Sequence, residues 1–406
     1  MKRRSDKFLF FCSYLPKHMH FYSSWVEQAR LAGLDMSLLV MVSLRSYRHA
    51  LEQVKHMKVP VVIIPRFPII RSALIYFYLM AQCILYSSVT AHVMNLYLDR
   101  AKWFKRLFPR FRFMIYLEGD IEAELEYLLD HPYKSGFYDD SIFKAKKAIV
   151  NIKRRIAFAD SILACTHYAK HVYIKRYSLP DDRVYVLPFG ADSSAIYYNE
   201  HIRRESRHML NLEDDRFVIV FIGSVYYSWQ NLSKTIAMVK LLSKHMLNTY
   251  LMLIIRESDH PIVTDLIAKH QLDPSVYMLA KAQQGKQNMY LNAADAGVLL
   301  RASHPMNYSA TPAKIGEYSI AGLPLIITEA ACSYHDEVTS KGFGIVFRDV
   351  DEYTTINQRI HVITENKPDR EEISQWGFNR FATESYRDEY KRILLAVSSS
   401  HERLIP

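Results

Sequence analysis

Cysteine is scarce in this chain and nowhere clustered. Cys12, Cys83, Cys165 and Cys332 stand far apart, with no CxxC pair and no histidine at ligand spacing. Neither a disulfide framework nor a zinc site is indicated, and a reducing cytosol is the simplest home. Charge is missing from another place: between Ser72 and Leu98 there is no Asp, Glu, Lys or Arg. A run of that length raises the question of a membrane span. It divides, however, into a helical SALIYFYLMAQCILYSS and a strand-like VTAHVMNLYL, with Gln82, His92 and Asn95 inside it. A helix and a strand are expected there. No small-residue cleavage site follows the apolar FLFFCSYL near the start, which reads as a first strand rather than a leader. Internal repeats and low-complexity segments are absent. No DxD pair stands at a strand end, since Asp139-Asp140, Asp181-Asp182 and Asp214-Asp215 look like turn residues. A required metal is not expected.

What is present suits a two-domain globular protein. The chain has 406 residues, 50% of them hydrophobic and 23% charged, enough for two cores. The formal net charge of +10 favours an acidic partner: nucleic acid, anionic lipid or a phosphorylated small molecule. Nucleic acid ranks lowest because no aromatic RNA-binding signature or recognition-helix motif accompanies the charge. The excess sits in clusters at Lys2 to Arg4, Arg100 to Arg112, Lys144 to Arg155 and Arg203 to Arg207. In RAKWFKRLFPRFR cations alternate with aromatics, which suits an anionic membrane surface better than a phosphate ladder.

Strands and helices alternate throughout, the signature of parallel sheets covered on both faces. KFLFFCSY, DMSLLVMV, VPVVIIP, FRFMIYLE and ADSILACT make one doubly wound set, and RFVIVFIGS, TYLMLIIR, SVYMLAK, AGVLLR, LPLIIT and GIVFR a second. The polar stretch from Ser193 to Asp215 reads as an interdomain connection. Ser374 to Val397 reads as one terminal helix packing back on the body. The expected architecture is α/β, with two Rossmann-like domains at 1–195 and 196–375 facing across a cleft, and a final helix in 376–406. Ligands of such sheets bind at the carboxyl ends of the strands.

One segment carries the chemistry. In NYSATPAKIGEYSIAGLP, Thr311 suits an N-cap, Pro312 the first helical position, and Gly322 with Pro324 a stop. The helix is expected over about Pro312 to Ala321. Its free amides and positive partial charge form a phosphate site. Glu317, five residues past Pro312, lies about 7.5 Å along the axis, with Lys314 on the same face. A diphosphate at the helix start would place a ribose within reach of that carboxylate. On spacing alone, a surface glutamate on an ordinary helix is the favoured reading.

LLRASHPMNYSATPAKIGEYSIAGLPLIIT resembles the donor-binding motif of retaining GT-B glycosyltransferases of the family 4 type, particularly the bacterial members that build surface polysaccharides. ADSILACTHYAKHVYIKRY with VYVLPFGAD resembles the close of their N-terminal domain, and FVIVFIGSVYYSWQNLSKTIAMVKLL the first strand, turn and helix of the donor domain. The resemblance implies GT-B architecture and transfer of a UDP- or GDP-linked sugar, itself the substrate, to a glycan or lipid-linked acceptor hydroxyl with retention. No cofactor or metal is implied, and the enzyme would sit in the cytoplasm, peripheral on the inner face of a bacterial membrane. By resemblance, Glu317 would hold the ribose, and the amides of Thr311 to Lys314, approached through Ser309 and Ala310, would meet the diphosphate. Gly223 and Ser224 would admit the donor, and Arg301 would face the phosphates or the donor sugar.

The sequence departs from that family at three positions. Ser309 stands where many members carry a glutamate, and Ser224 and Gln230 where an arginine and a lysine are usual. Arg256, with Arg301, is the nearest replacement for the lost charge. On the acceptor side, Glu118 and Asp120 in YLEGDIEAE are candidate catalytic carboxylates, against a role as helix caps. His18, His20 and His167 are candidate acceptor contacts, with Thr166 capping the helix that starts at His167 as the plainer alternative. The rivals to transfer are a nucleotide-sugar 2-epimerase on the same fold and a catalytically inactive donor-binding scaffold.

Overall fold

The structure, a computed structural model, describes residues 4–14, 19–65, 71–94, 101–130, 138–225, 228–283 and 285–399. The chain divides into two compact units, the first formed by 1–122, 143–188 and 383–406 and the second by 123–142 and 189–382.

The first unit is built on seven parallel strands: β1 (Lys7–Ser13), β2 (Met36–Val42), β3 (Val61–Pro65), β4 (Val89–Met94), β5 (Phe111–Leu117), β6 (Ser161–Ala164) and β7 (Val184–Val186). Their order is β3-β2-β1-β4-β5-β6-β7. Every residue of β2, β4 and β5 is buried. That explains why these strands read as largely apolar runs without alternation, interrupted only by Ser37, Thr90, His92 and Arg112: helices cover both faces. The uncharged stretch after Ser72 is indeed a helix, Arg71–Leu85, followed by β4. Among the described residues no helix is long and apolar enough to cross a membrane.

The second unit carries a six-stranded parallel sheet: β8 (Phe217–Gly223), β9 (Thr249–Ile255), β10 (Tyr277–Lys281), β11 (Ala296–Leu299), β12 (Leu325–Thr328) and β13 (Gly344–Phe347). The order is β10-β9-β8-β11-β12-β13. The chain winds outward from β8 on one side and from β11 on the other, so the β8–β11 junction is the switch point where such sheets bind ligands. The two strands pair only at Ile219–Ala296 and Val220–Gly297. Beyond those pairs they part, and the crevice opens toward their carboxyl ends.

Two segments differ from expectation. Residues 193–215 are not a loose connection, because they contain the helix Glu200–Met209. Its Arg203 and Arg207 point into the unit, where both pair with Asp295 and donate to the Ala293 carbonyl. Burying two guanidiniums is feasible because carboxylate and carbonyl acceptors take up their donors.

The terminal helix is two helices, Arg370–Phe381 and Arg387–Ser399. They are separated at Ala382, whose extended backbone (φ −71°, ψ 138°) forms a bridge with Ala191. Gly377 lets the first of them cross the helix Ala313–Ile320 closely, since a Cβ there would lie 2.4 Å from the Ser319 carbonyl carbon. The second packs on the first unit, where the Tyr390 hydroxyl meets His92 Nδ1 at 2.7 Å on β4.

Candidate active site

The site is built around the crevice between β8 and β11. Strand β8 ends in Gly223 at φ +128°, a backbone conformation open in practice only to glycine. A Cβ at this position would lie 2.5 Å from Lys314 Cε. The absent side chain is therefore the channel through which the lysine stem passes. Lys314 Nζ ends 4.6 Å above the Phe221 ring centroid and donates to Gln230 Oε1 at 3.0 Å.

Ser224 faces away from this crevice. Its hydroxyl donates to Asp259 Oδ2 (2.7 Å), as does the Val225 amide (2.9 Å), so the turn after β8 is fastened to a buried carboxylate. Burial opposes the charge on Asp259, but those bonds, with one from Ser258, outweigh it and hold its pKa below the usual value. Arg256, exposed at the end of β9, adds its charge to the neighbourhood of both Asp259 and Lys314.

Arg301 follows β11. The Thr328 hydroxyl pins its backbone twice, accepting from the Arg301 amide (2.8 Å) and donating to its carbonyl (2.7 Å). The residue is only 8% exposed, yet among the described residues no carboxylate pairs with it. One guanidinium nitrogen lies 3.5 Å from Asn307 Oδ1, and Nε is buried without a partner. Asn307 is turned this way because its Nδ2 donates to the Ala302 carbonyl at 2.9 Å. Burial without compensation pushes the arginine down to about 10.

The helix Ala313–Ile320 faces this crevice. It begins one residue later than expected: Pro312 is in extended conformation (ψ 122°) and precedes the first turn, and Thr311 does not occupy the cap position. The leading amides, at Ala313 and Lys314, have no acceptor within the helix. Glu317 accepts from Gln287 Nε2 at 2.6 Å and makes no ion pair with Lys314. Both side chains keep some surface but lie deep among protein atoms. Burial, the largest influence on each, lowers the lysine pKa and raises that of the glutamate; Arg301 lowers the lysine further. Tyr318 wedges the crevice open from below. Its hydroxyl accepts from the Ile222 amide (3.0 Å), and its ring covers Gly297, where a Cβ would lie 2.5 Å from Cδ2.

Gly223, Arg256, Arg301, Lys314 and Glu317 are thus brought together. Other expected site residues take different places. Ser309 is fully buried and its hydroxyl donates to the Pro305 carbonyl at 2.7 Å. The Ala310 amide donates to the Asn307 carbonyl at 3.3 Å.

Asp120 is not a free acid. Arg176 holds both its oxygens, and the carboxylate also accepts from the Glu122 amide (3.1 Å), which makes it a buried helix cap. Glu118 is exposed just beyond β5. His20 is exposed in the first turn of the helix Met19–Leu31, and His167 is exposed at the head of the helix His167–Tyr177. Thr166 caps that second helix through the Ala169 amide. His18 lies outside the described residues.

Gln230, Asn307, Gln287 and Asp259 complete the site. Gln230 is visible in the sequence only as a departure from the family pattern, and Asn307, Gln287 and Asp259, which lie in short helical segments, carry no sequence signal of their own; only their neighbours in space give them a role. A separate cleft of about 370 Å³, lined by Glu329, His335, Arg348 and Arg359 among others, lies at the ends of β12 and β13 and does not contain this cluster.

No family model matches the sequence, and no curated protein matches it. Solved structures do. Anabaena Alr3699/HepE in complex with UDP aligns with a TM-score of 0.68 at 13% identity over 96% of this chain and 100% of that one. WaaG, a glycosyltransferase involved in lipopolysaccharide biosynthesis, aligns with a TM-score of 0.59 at 14% identity over 97% and 100%. A Listeria monocytogenes protein assigned as a UDP-N-acetylglucosamine 2-epimerase aligns with a TM-score of 0.55 at 11% identity over 98% and 96%. At these identities the likeness shows the fold: the chain has the GT-B architecture of two parallel-sheet α/β units.

Proposed function

We propose that the protein is a metal-independent glycosyltransferase of the family 4 type that moves a sugar from a nucleoside diphosphate to an acceptor hydroxyl with retention, in the synthesis of a cell-surface polysaccharide. The observation that carries this reading is Arg301, a buried cation at the switch point with no anion to meet it among the described residues. Lys314, Arg256 and the start of the helix Ala313–Ile320 add positive potential around it. A diphosphate supplies the missing charge and acceptors. The solved HepE complexes with UDP and with UDP-glucose support that ligand class.

In this reading Glu317 accepts from the ribose hydroxyls. The cations stabilise charge growing on the leaving diphosphate, which is the main demand of the step. Retention on one face of the sugar, with the leaving phosphate assisting deprotonation of the acceptor, asks for no carboxylate pair. The commitment of Asp120 to Arg176 is compatible with that. The departures at Ser224 and Gln230 are compensated, since one fastens the turn to Asp259 and the other anchors Lys314. This favours an active enzyme over a scaffold.

Thermal unfolding with UDP, GDP, ADP and CMP tests the reading on the wild type and Glu317→Ala. One nucleotide at 100 times its Kd is expected to add about 2.7 kcal/mol to the wild type, and much less to the folded variant. Equal stabilisation of both proteins would remove Glu317 from the site; no stabilisation by any nucleotide would overturn the donor reading. Epimer formed from UDP-N-acetylglucosamine without acceptor would favour the isomerase instead.

A lipid-linked acceptor and attachment to an anionic membrane fit the first unit. Trp103 is 64% exposed with Arg106 over its ring at 5.0 Å, and Leu107 is exposed on the same short helix, Ala101–Leu107. Contact between the Tyr76 and Phe104 rings sets beside it the helix Arg71–Leu85, where Phe77 is 68% exposed and Ile84 is also open. Apolar side chains rimmed by cations suit a headgroup interface. Lys105, counted among the membrane cations from sequence, is instead committed to Asp160 (2.8 Å) and the Phe158 carbonyl. Arg100 and the Lys102 side chain lie outside the described residues. Neutralising Arg100, Lys102 and Arg106 is expected to weaken sedimentation with phosphatidylglycerol vesicles by at least tenfold, at about 1 kcal/mol per charge. Phe77→Ser with Trp103→Ser should weaken it without altering net charge. Unchanged sedimentation of both would exclude this surface.

A further inference from the structure

Of the residues brought together at the crevice, Glu317 alone is acidic. Among the described residues no ion pair reaches it, and a single hydrogen bond does, from Gln287 Nε2 to Oε2 at 2.6 Å. An ionised carboxylate can only accept, so the amide nitrogen of Gln287 and not its oxygen faces it. Oε1 has no partner among the described residues.

Both ends of this bond are anchored. Gln287 opens the helix Gln287–Ala293, which connects β10 to β11. Two asparagines fasten that helix to the chain before Glu200: Asn288 Oδ1 accepts from the Tyr197 amide (3.0 Å), and Asn292 accepts from the Asn199 amide (2.9 Å) while donating to the Tyr197 carbonyl (2.9 Å). Glu317 sits on the helix Ala313–Ile320, where the next residue, Tyr318, is tied to the Ile222 amide. A bond between two fixed helices holds the carboxylate in one place. It also answers an electrostatic demand, since burial drives Glu317 up to about 7 while the Lys314 charge and the Gln287 bond oppose that rise.

Other charged and titratable groups lie on the elements packed around it. Lys314 and Tyr318 share its helix, and burial of Tyr318 pushes that hydroxyl up, so it stays neutral. Lys286, beside Gln287, is exposed. On the helix Arg370–Phe381, Arg370 is taken up by the Ala294, Ala321 and Gly322 carbonyls, Arg380 pairs with Glu337, and Glu371 and Glu372 are in solvent. None of these replaces the donor that Gln287 supplies.

Resting on the nucleotide-sugar reading above, we infer that Gln287 is a positioning residue for the donor: by occupying Oε2 of Glu317 it keeps the carboxylate fixed as an acceptor, with Oε1 left for a ribose hydroxyl, and so sets the preference for ribonucleotides over deoxynucleotides. Gln287 acts through Glu317 and leaves the diphosphate to the cations.

Titration calorimetry with UDP, GDP and their 2′,3′-dideoxy forms, from about pH 6 to about pH 9, reads this preference as a ratio of affinities. Each pair carries the same diphosphate, so titration of the phosphate, Lys314 and the arginines cancels in the ratio. In the wild type the ribonucleotide is expected to bind about tenfold tighter at the alkaline end, the scale of one hydrogen bond to a charged group. The preference should fade as the pH drops through about 7 and Glu317 takes up its proton. Gln287→Met, similar in length but without a donor, should move that fading upward by about one pH unit, and Gln287→Asn, too short to reach, should do the same. Glu317→Gln should show a weak preference that does not vary with pH.

An unchanged ratio in both Gln287 variants, including equal weakening of ribo and dideoxy forms, would reject the positioning role. If Glu317→Gln still abolishes the preference, the donor reading stands and only the inference is lost. A wild type that binds both forms equally would remove Glu317 from the ribose and overturn the inference. If neither UDP nor GDP binds the wild type, the donor reading fails and the inference falls with it.

Discussion

Arg301→Met is expected to leave the free protein as stable as the wild type, or more so, while abolishing its stabilisation by nucleotide. The guanidinium is buried with Nε unpartnered and only a 3.5 Å approach to Asn307. Its desolvation is thus uncompensated in the free state, and an apolar chain of similar length removes that cost. Replacing even a well-paired buried charge by a hydrophobe can stabilise by about 1–4 kcal/mol. In the proposed bound state the same guanidinium would meet phosphate oxygens, and losing a buried charge-assisted contact costs about 2–5 kcal/mol. Nearly all of the 2.7 kcal/mol or so that a saturating nucleotide adds would then vanish.

The control is Arg207→Met, a buried arginine that donates to Asp295, Ala293, Glu213 and Arg216. Those acceptors lose their donor there, so the free protein should be clearly destabilised. Denaturant unfolding of both variants, with and without nucleotide, gives the comparison. A large loss of stability in free Arg301→Met would mean that the arginine has an internal role, and persistent nucleotide stabilisation would mean that it does not face the ligand.

Gly223→Ala is expected to cost stability and binding for two separable reasons. At φ +128° an alanine is strained whatever space surrounds it, at about 1–3 kcal/mol. The 2.5 Å approach to Lys314 Cε concerns the end of a flexible side chain. The lysine can swing aside with little loss of stability, but Nζ then leaves Gln230 and the Phe221 ring, and its charge leaves the phosphate site. The double variant with Lys314→Ala distinguishes the two parts. Stability should fall by nearly the same amount in the wild-type and Lys314→Ala backgrounds, whereas the weakening of nucleotide binding by Gly223→Ala should largely disappear once Lys314 is gone. Additive binding losses would mean that the glycine acts on the ligand directly.

The first unit shows how far sequence carries and where it stops. β1, β2, β4 and β5 were legible because strands buried on both faces are apolar at most positions, interrupted here only by Lys7, Ser13, Ser37, Thr90, His92 and Arg112. Asp120 was legible as a carboxylate at a strand end but not as a cap, because Arg176 lies 56 residues away and its approach depends on packing. In the terminal segment, helical periodicity continues across Ala382, and the bridge to Ala191 that breaks it joins residues far apart in the chain. The apolar face with Phe77 and Ile84 was concealed by the same absence of charge that hides a core helix.

By itself the sequence determined the parallel α/β class, every strand but the three-residue β7, the helix carrying Lys314 and Glu317, and the glycine stop that ends it. All of these rest on local periodicity, backbone freedom and short-range capping, which depend on neighbours in the chain. Tertiary structure alone decided that β8 and β11 part at a switch point, that Arg301 stands there with no counter-ion among the described residues, and that Lys314 reaches Gln230 over a missing Cβ. It also brought Tyr127 to Trp229 from 102 residues away in the chain. Charge compensation and close approach are properties of residues distant in sequence, and they exist only once the sheet order is set.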